Sequence, residues 1–290
     1  MIGALLAAAV GLGALLDETS RYPEGPLYAG GALYVSEMAA DTVYRFENDT
    51  KRAFFTQAGC GPTAIAPYGE GFLVLCHLGQ AVVAVDGQGR PLRRLTGGAG
   101  GTAFQDPNDC SADDRGGVYF SDPGVFSTAS PPSGRIWRLD AAGTAHIVAA
   151  GLHYPNGVFF DAPRRRLLVS EHLARRVLAF PVESNGALGK AVVLADIDAL
   201  AGKRGTYREA GPDGLEIGPD GVLYVALYGE GRVLRLTPEG RLLGEIATPF
   251  AYVTNVAFAP SGKGGVTVGS YVNDRAPFPG AVVGLQESAP

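Results

Sequence analysis

The chain has 290 residues and a formal net charge of −5. This acidic balance excludes the basic surface that a nucleic-acid-binding protein needs. Its 42 glycines and 20 prolines, with 12 tyrosines and 13 phenylalanines against one tryptophan, are typical of many strands joined by tight turns. We therefore expect an all-β protein forming one domain over residues 1–290.

The chain begins with an almost wholly apolar run, Met1–Leu16. No Lys or Arg precedes it, as a secretory signal would require, and it is short for a membrane span. We interpret Gly13–Thr19 as an outer strand and residues 1–12 as an apolar leader, which could be an anchor or an uncleaved signal. We expect a cytoplasmic protein without stable membrane insertion, or a periplasmic or secreted one if the leader is a signal.

The three cysteines, Cys60, Cys76 and Cys110, show no zinc-ligand spacing. Cys60 and Cys76 flank two strands that turn near Pro67–Glu70, so they lie roughly opposite each other. A disulfide between them is geometrically possible, but the sequence favours two buried thiols.

One short pattern recurs along the chain: a proline is followed by a residue with a short side chain or an oxygen-bearing one, and then by an apolar strand. It occurs at Tyr22–Gly25, Gly61–Ala64, Asp106–Asp109, Tyr154–Gly157 and Gly211–Gly214, and without the proline at Val253–Val256. The residues after the proline stand at 24, 63, 108, 156, 213 and 255. Most steps approach the ~40–50 residues of a four-stranded propeller blade. The pattern predicts a six-bladed β-propeller whose N-terminal strand closes the last blade.

Equivalent positions of repeats in a ring meet on its axis. Of the five positions that follow a proline, four carry carboxylate or amide oxygens: Glu24, Asn108, Asn156 and Asp213. Such oxygens are the ligands of a hard cation. We predict one divalent cation there, with calcium as the expected ion.

The second strand of each blade should end at the same mouth of the channel. These ends are Glu37, His77, Asp122, His172, Tyr228 and Tyr271. Three loops longer than the repeat needs open there, Gly124–Ser133, Gly202–Gly211 and Asn273–Gly280, which favours a lidded small-molecule pocket. His77 and His172 are the histidines whose position suits a general base.

Four ordered motifs resemble the senescence-marker-protein/gluconolactonase family, which is related to paraoxonase and diisopropyl-fluorophosphatase. They are Tyr22–Pro26, Pro107–Asp109 with Val118–Pro123, Tyr154–Gly157 and Gly211–Leu215. The resemblance implies a six-bladed propeller with a catalytic divalent ion, calcium or sometimes zinc or another divalent metal, held by Glu24, Asn156 and Asp213. It implies that Asn108 is a fourth ligand or an amide that orients the substrate.

One position departs from that family. Its animal aldonolactonases carry an arginine two residues before the Asn108 equivalent, and this chain has Asp106 there. The departure puts a sugar-acid lactone in doubt and leaves the metal chemistry untouched.

We therefore predict a metal-dependent lactonase, a carboxylic ester hydrolase of gluconolactonase type, in which Asp213 is the preferred base and His172 the reserve. Substrate contacts are predicted for Asn108, Asp106, His77, Asp122 and Tyr228. Two alternatives are a phosphotriester hydrolase using the same site and a non-catalytic binding propeller with a structural calcium. We expect a small lactone as substrate, and a monomer or weak dimer.

Overall fold

The computed structural model describes residues 10–48, 50–262 and 264–287. Strand β1 (Val10–Arg21) precedes a first sheet made of β2 (Pro23–Ala29), β3 (Ala32–Glu37), β4 (Thr42–Glu47) and β5 (Thr50–Thr56). The second sheet contains β6 (Pro62–Tyr68), β7 (Gly71–Cys76), β8 (Ala81–Val85) and β9 (Pro91–Leu95). Both sheets are antiparallel meanders whose strand order follows the chain.

Two further sheets repeat this plan. The third contains β10 (Cys110–Ala112), β11 (Val118–Asp122), β12 (Gly134–Leu139) and β13 (Ala145–Leu152). The fourth contains β14 (Pro155–Asp161), β15 (Arg166–Glu171), β16 (Arg176–Pro181) and β17 (Val192–Asp196). A short helix, α1 (Ile197–Ala201), follows β17 and is capped by Asp196, whose side chain accepts a hydrogen bond from the Ala199 amide at 3.0 Å.

The remaining strands belong to one eight-stranded sheet. They are β18 (Gly211–Ile217), β19 (Leu223–Tyr228), β20 (Arg232–Leu236), β21 (Leu242–Ala247), β22 (Tyr252–Phe258), β23 (Gly265–Ser270), β24 (Pro279–Glu287) and β1. The four strands β18–β21 join the other four through a single register pair, Tyr228 with Tyr252. Within the described residues, no helix has the length and hydrophobicity that a transmembrane helix needs.

The strands that open the successive repeats lie side by side in a closed order, β2, β6, β10, β14, β18, β22 and back to β2. Side chains join them across the sheet boundaries. The Thr254 hydroxyl donates to the Pro23 carbonyl at 2.7 Å, and the Thr63 hydroxyl donates to the Pro107 carbonyl at 3.3 Å. The fold is therefore all-β with a propeller-like arrangement, as the repeat predicted.

The hydrophobic core lies between neighbouring sheets, so the middle strands are buried on both faces. In β19 the alternate residues Leu223, Val225 and Leu227 pack toward the fourth sheet. Tyr224 and Ala226 point to the other face and pack against β22 and β24. Because successive side chains of a strand point to opposite faces, a nearly continuous apolar sequence fills two core layers.

Strand β1 pairs antiparallel with β24, for example through Leu12 with Leu285 and Arg21 with Pro279. The outer strand predicted at Gly13–Thr19 therefore lies within β1. Of the leader predicted at residues 1–12, positions 1–9 lie outside the described residues.

The expectation of two buried thiols at Cys60 and Cys76 is wrong. The structure joins them by a disulfide, with a Cα–Cα distance of 4.5 Å. The pairing of Pro62 with Cys76 across β6 and β7 brings the two residues together. Cys110 is the free cysteine.

Candidate active site

The four predicted cation ligands line one cavity of about 350 Å³. Glu24, Asn156 and Asp213 stand near the starts of β2, β14 and β18. Asn108 lies just before β10, where its backbone N–H donates to the Ser121 carbonyl at 3.0 Å. Each side chain is nearly inaccessible, between 3% and 7% exposed. The repeat register therefore brings four oxygen-bearing side chains to one buried place.

Glycines that directly follow these ligands let the inner strands approach the axis closely. A Cβ at Gly25 would lie 2.3 Å from the Thr63 carbonyl oxygen, and a Cβ at Gly157 would lie 2.3 Å from the Asp213 carbonyl oxygen. Any larger residue would force the strands apart. Gly25 and Gly157 therefore allow the strands that carry Glu24 and Asn156 to lie close to the neighbouring inner strands.

The two carboxylates are unusually hard to ionise in the protein alone. Burial raises the pKa of Glu24 well above its usual range, and the charges of Asp213 and Asp109 raise it further. Burial and the charge of Asp109 likewise raise the pKa of Asp213. The Asp213 Oδ1 atom is buried and has no hydrogen-bond partner. Such an atom is costly unless a donor or a cation satisfies it.

The donor set suits a hard cation rather than a soft one. Two carboxylates and two amide oxygens match calcium or magnesium chemistry better than zinc chemistry. Within the described residues, no group of three or more His, Cys, Asp or Glu has metal-holding geometry. The candidate set is of another kind, because only Glu24 and Asp213 are carboxylates and its other two members are the amides Asn108 and Asn156. These residues fit a divalent cation, because the buried Asp213 Oδ1 atom lacks a partner that such an ion would supply.

His172 lies at the cavity wall and is almost fully buried. Its Nε2 donates to the Glu209 carbonyl at 2.7 Å, while its Nδ1 has no partner. Burial lowers its pKa to about 4, so the ring is neutral near pH 7 with its lone pair on Nδ1. His77 also lines the cavity, and its Nδ1 donates to the Asp106 carbonyl at 3.1 Å. Both histidines are held by backbone carbonyls.

The structure does not bring Asp106 and Asp122 to the cavity wall. Asp122 Oδ1 accepts hydrogen bonds from the Gln105 and Asp106 amides, and its Oδ2 accepts one from Trp137 at 2.9 Å. Asp106 accepts a hydrogen bond from the Gly124 amide at 2.8 Å. Asp122 therefore holds the segment before β10, Asp106 holds the loop that follows β11, and neither lines the cavity in which its substrate contact was predicted.

Aromatic side chains make up most of the remaining wall. Each long loop predicted at the mouth contributes one cavity residue, namely Phe126, Tyr207 and Asn273. The predicted Tyr228 lines the cavity as well.

Motif analysis missed Tyr22, Met38 and Tyr154, although both tyrosines directly precede a proline of the repeat. The position before the proline was therefore a usable signal. No Lys or Arg occurs among the described residues that line this cavity.

A second cavity, of about 270 Å³, lies along the same inner strands and is lined by the residues that follow the candidate ligands. Burial raises the pKa of Asp109 there to about 7 and that of Glu216 to about 8. None of the four candidate ligands lines it, and none of the three long loops contributes a residue. We therefore place the candidate active site in the cavity that holds the ligands.

Comparison with known proteins gives both curated relatives and solved structures. The lactonase drp35 of Staphylococcus haemolyticus is 28% identical over 224 residues, which are 75% of this chain and 66% of that protein, just under two thirds of its length. The lactonase drp35 of Staphylococcus epidermidis is 27% identical over 227 residues, 76% of this chain and 67% of that protein.

Two solved structures resemble the fold along nearly the whole chain. A gluconolactonase from Xanthomonas campestris superposes with a TM-score of 0.78 at 22% identity, covering 99% of this chain and 94% of that one. Regucalcin from Agrobacterium tumefaciens, described as a calcium-binding protein, superposes with a TM-score of 0.72 at 19% identity, covering 96% and 93%. At these identities the likeness establishes the fold alone.

Residues 22–267 match the family described as SMP-30/Gluconolactonase/LRE-like region. The match spans all four motifs on which the resemblance was based, and it confirms that resemblance. This chain belongs to the SMP-30/Gluconolactonase/LRE-like region family.

Proposed function

We propose that this protein is a single-domain, six-bladed propeller that hydrolyses lactones with the help of one divalent cation, expected to be calcium. The closed order of six inner strands supports six blades. So does the single register pair between Tyr228 and Tyr252, which divides the eight-stranded sheet into two halves of four strands. Lactonase relatives and the family membership support the reaction class.

The observation that carries the proposal is the buried meeting of Glu24, Asn108, Asn156 and Asp213 in one cavity. These residues would hold the ion, and Asp213 Oδ1 would gain the partner it lacks. A divalent cation bound there would polarise a lactone carbonyl as a Lewis acid and stabilise the negative charge that develops on its oxygen.

The chain's own groups would supply the proton chemistry. Asp213 would accept a proton from the attacking water through the carboxylate oxygen that does not bind the ion, because Asp213 lines the same cavity. The ring C–O bond would break, and return of that proton to the leaving oxygen gives the hydroxy acid. His172 is the reserve base, since its neutral Nδ1 also lacks a partner. The amides of Asn108 and Asn156 would orient oxygen atoms.

The test is hydrolysis before and after removal of the metal. Purified protein is assayed on δ-valerolactone, glucono-1,5-lactone and a neutral phosphotriester with calcium, after EDTA and dialysis, and after calcium is restored. We expect lactone hydrolysis that is lost on chelation and recovered on addition of calcium. If the protein hydrolysed the phosphotriester and neither lactone, its activity would be assigned as phosphotriesterase instead of lactonase. Calcium binding with no turnover of any substrate would assign a binding propeller.

A further inference from the structure

Four tyrosines line the cavity: Tyr22, Tyr154, Tyr207 and Tyr228. Three of their hydroxyls belong to one hydrogen-bonded chain. The hydroxyls of Tyr22 and Tyr228 lie 2.7 Å apart, and the Asn273 side-chain amide donates to both Tyr228 and Tyr207 at 3.1 Å. The protein itself therefore uses these three hydroxyls to tie its long loops to the cavity wall.

Tyr154 differs from the other three. Among the residues that the structure describes, no hydrogen bond engages its hydroxyl. The side chain is nevertheless only 9% exposed. Its ring packs against Phe126, with centroids 4.7 Å apart, and against His172 at 5.9 Å. The ring is thus held in place while its hydroxyl stays unused in a cavity that also contains the candidate ligands.

The backbone at Tyr154 is also unfavourable for a large side chain. Its φ is +58°, in the left-handed region, which costs about 1–2 kcal/mol for an L-residue. At the equivalent position the second repeat has Gly61, with φ +53°, and the first repeat has Tyr22, with φ +52° and a hydroxyl already engaged by Tyr228. Glycine adopts this conformation without strain. A strained tyrosine where glycine would fit points to a role for the side chain in the cavity.

We propose that the Tyr154 hydroxyl is a substrate-contacting hydrogen-bond donor, which binds the lactone oxygen that becomes more negative during ring opening. This inference rests on the proposed lactonase function and extends it to a residue outside the ligand set. A phenol keeps its proton at neutral pH and can donate it in a hydrogen bond. A donor already fixed by packing needs little reorganisation when charge develops, which favours the transition state over the bound substrate.

The experiment compares Tyr154→Phe with Tyr119→Phe in the calcium-loaded protein. Tyr154→Phe removes one oxygen and keeps the ring that packs on Phe126. Tyr119 is a matched control because its buried hydroxyl donates to the Gly186 carbonyl at 2.7 Å, outside the cavity. The measurements are kcat and KM on δ-valerolactone, the calcium Kd and the Tm.

For Tyr154→Phe we expect kcat/KM to fall roughly 10- to 100-fold, mainly through kcat, with the calcium Kd and Tm unchanged. Tyr119→Phe should lower Tm and leave kcat/KM unchanged. Wild-type kcat in Tyr154→Phe would overturn the inference and leave the proposed function intact. Loss of activity together with calcium affinity or Tm would also overturn it, because the residue would then be structural. An inactive calcium-loaded wild type would overturn the proposed function and this inference together.

Discussion

The Nζ atom of Lys51 lies 2.5 Å from a carboxylate oxygen of Asp17. Lys51 is in β5 of the first sheet, whereas Asp17 is in β1, which pairs with β24 at the end of the chain. A carboxylate oxygen of Glu37, at the end of β3, also lies 2.5 Å from Lys51 Nζ. This partly buried cluster therefore connects the N-terminal strand to the first sheet and helps to close the ring.

We expect Lys51→Met to destabilise the protein by about 3 kcal/mol, because it leaves two buried carboxylates without a counterion. Lys190→Met is the control, since Lys190 is exposed, and it should change stability by less than about 0.5 kcal/mol. Urea unfolding of both variants measures the difference. Equal stability of Lys51→Met and the wild type would contradict a stabilising role for this cluster.

The stabilisation that this cluster contributes should depend on pH. Burial tends to raise the pKa of Asp17, but hydrogen bonds from Lys51, Thr19 and Ser20 outweigh it and lower the pKa below 3.8. Burial tends to lower the pKa of Lys51, but its two carboxylates outweigh it and raise the pKa above 10.5. The stabilisation should therefore be complete between pH 3.8 and 10.5, and be lost as pH falls through the lowered pKa of Asp17 or rises through the raised pKa of Lys51.

A bound cation should stabilise the folded ring, because its ligands come from separate strands and meet only after folding. The expected gain is ~2.7 kcal/mol at a hundredfold excess of calcium over its Kd. Glu24→Gln should abolish most of the calcium-induced rise in Tm, while Glu70→Gln, at an exposed turn, should keep it. A rise in Tm of wild-type size in Glu24→Gln would remove Glu24 from the ligand set.

The choice of base is tested by Asp213→Asn and His172→Gln, both assayed at saturating calcium. Gln can retain the donation that His172 Nε2 makes to the Glu209 carbonyl and removes only the unpartnered Nδ1. Loss of a general base costs roughly 10²–10⁴ in rate, and we expect a loss of at least that size for Asp213→Asn, which also loses a cation ligand, and little change for His172→Gln. A large loss of kcat in His172→Gln, with kcat of Asp213→Asn nearly unchanged, would assign the base to His172.

Substrate preference should follow the cavity wall. It contains aromatic rings and no Lys or Arg among its described residues. Arg204, on one of the long loops, is instead paired with Glu245 at 2.7 Å. Burial of apolar surface contributes roughly 25 cal/mol per Å², whereas the hydroxyls of a sugar lactone find no Lys or Arg side chain among the described residues of this wall. We expect a higher kcat/KM on δ-valerolactone than on glucono-1,5-lactone, which has the same ring size.

Phe126→Leu serves as a check on that argument, because the Phe126 ring is 39% exposed and can be reached by a ligand. Loss of this aromatic ring should lower the ratio of kcat/KM on δ-valerolactone to kcat/KM on glucono-1,5-lactone. A clear preference of the wild type for gluconolactone would refute the argument from the wall, and Arg204→Ala and Arg208→Ala would then show which cation binds the hydroxyls.

The repeat made the inner strands and their ligands predictable. Residues 24, 156 and 213 share one register, and a register is visible in sequence wherever prolines and glycines mark turns and close approaches. The three long loops were predictable for the same reason, since each exceeds the length of its counterparts in other repeats.

Features that depend on distances between segments were not predictable. Asp122 has the register of a wall residue, but the Gln105 and Asp106 amides come close enough to bind its carboxylate. The Cys60–Cys76 disulfide depends on how the ends of β6 and β7 meet. The left-handed backbone of Tyr154 is not indicated by its own residue type, because tyrosine does not favour that conformation; only the glycine at the equivalent position of the second repeat hints at it.

The most direct test of the central claim is to measure calcium occupancy and lactone hydrolysis on the same samples. Metal-free protein is titrated with calcium, and the bound fraction is compared with kcat/KM on δ-valerolactone at each step. We predict that activity rises in proportion to the occupancy of one site, and that Asp213→Asn shows neither the high-affinity site nor the activity. Full activity in the metal-free protein, or activity independent of occupancy, would contradict the proposal that Glu24, Asn108, Asn156 and Asp213 form a catalytic metal centre.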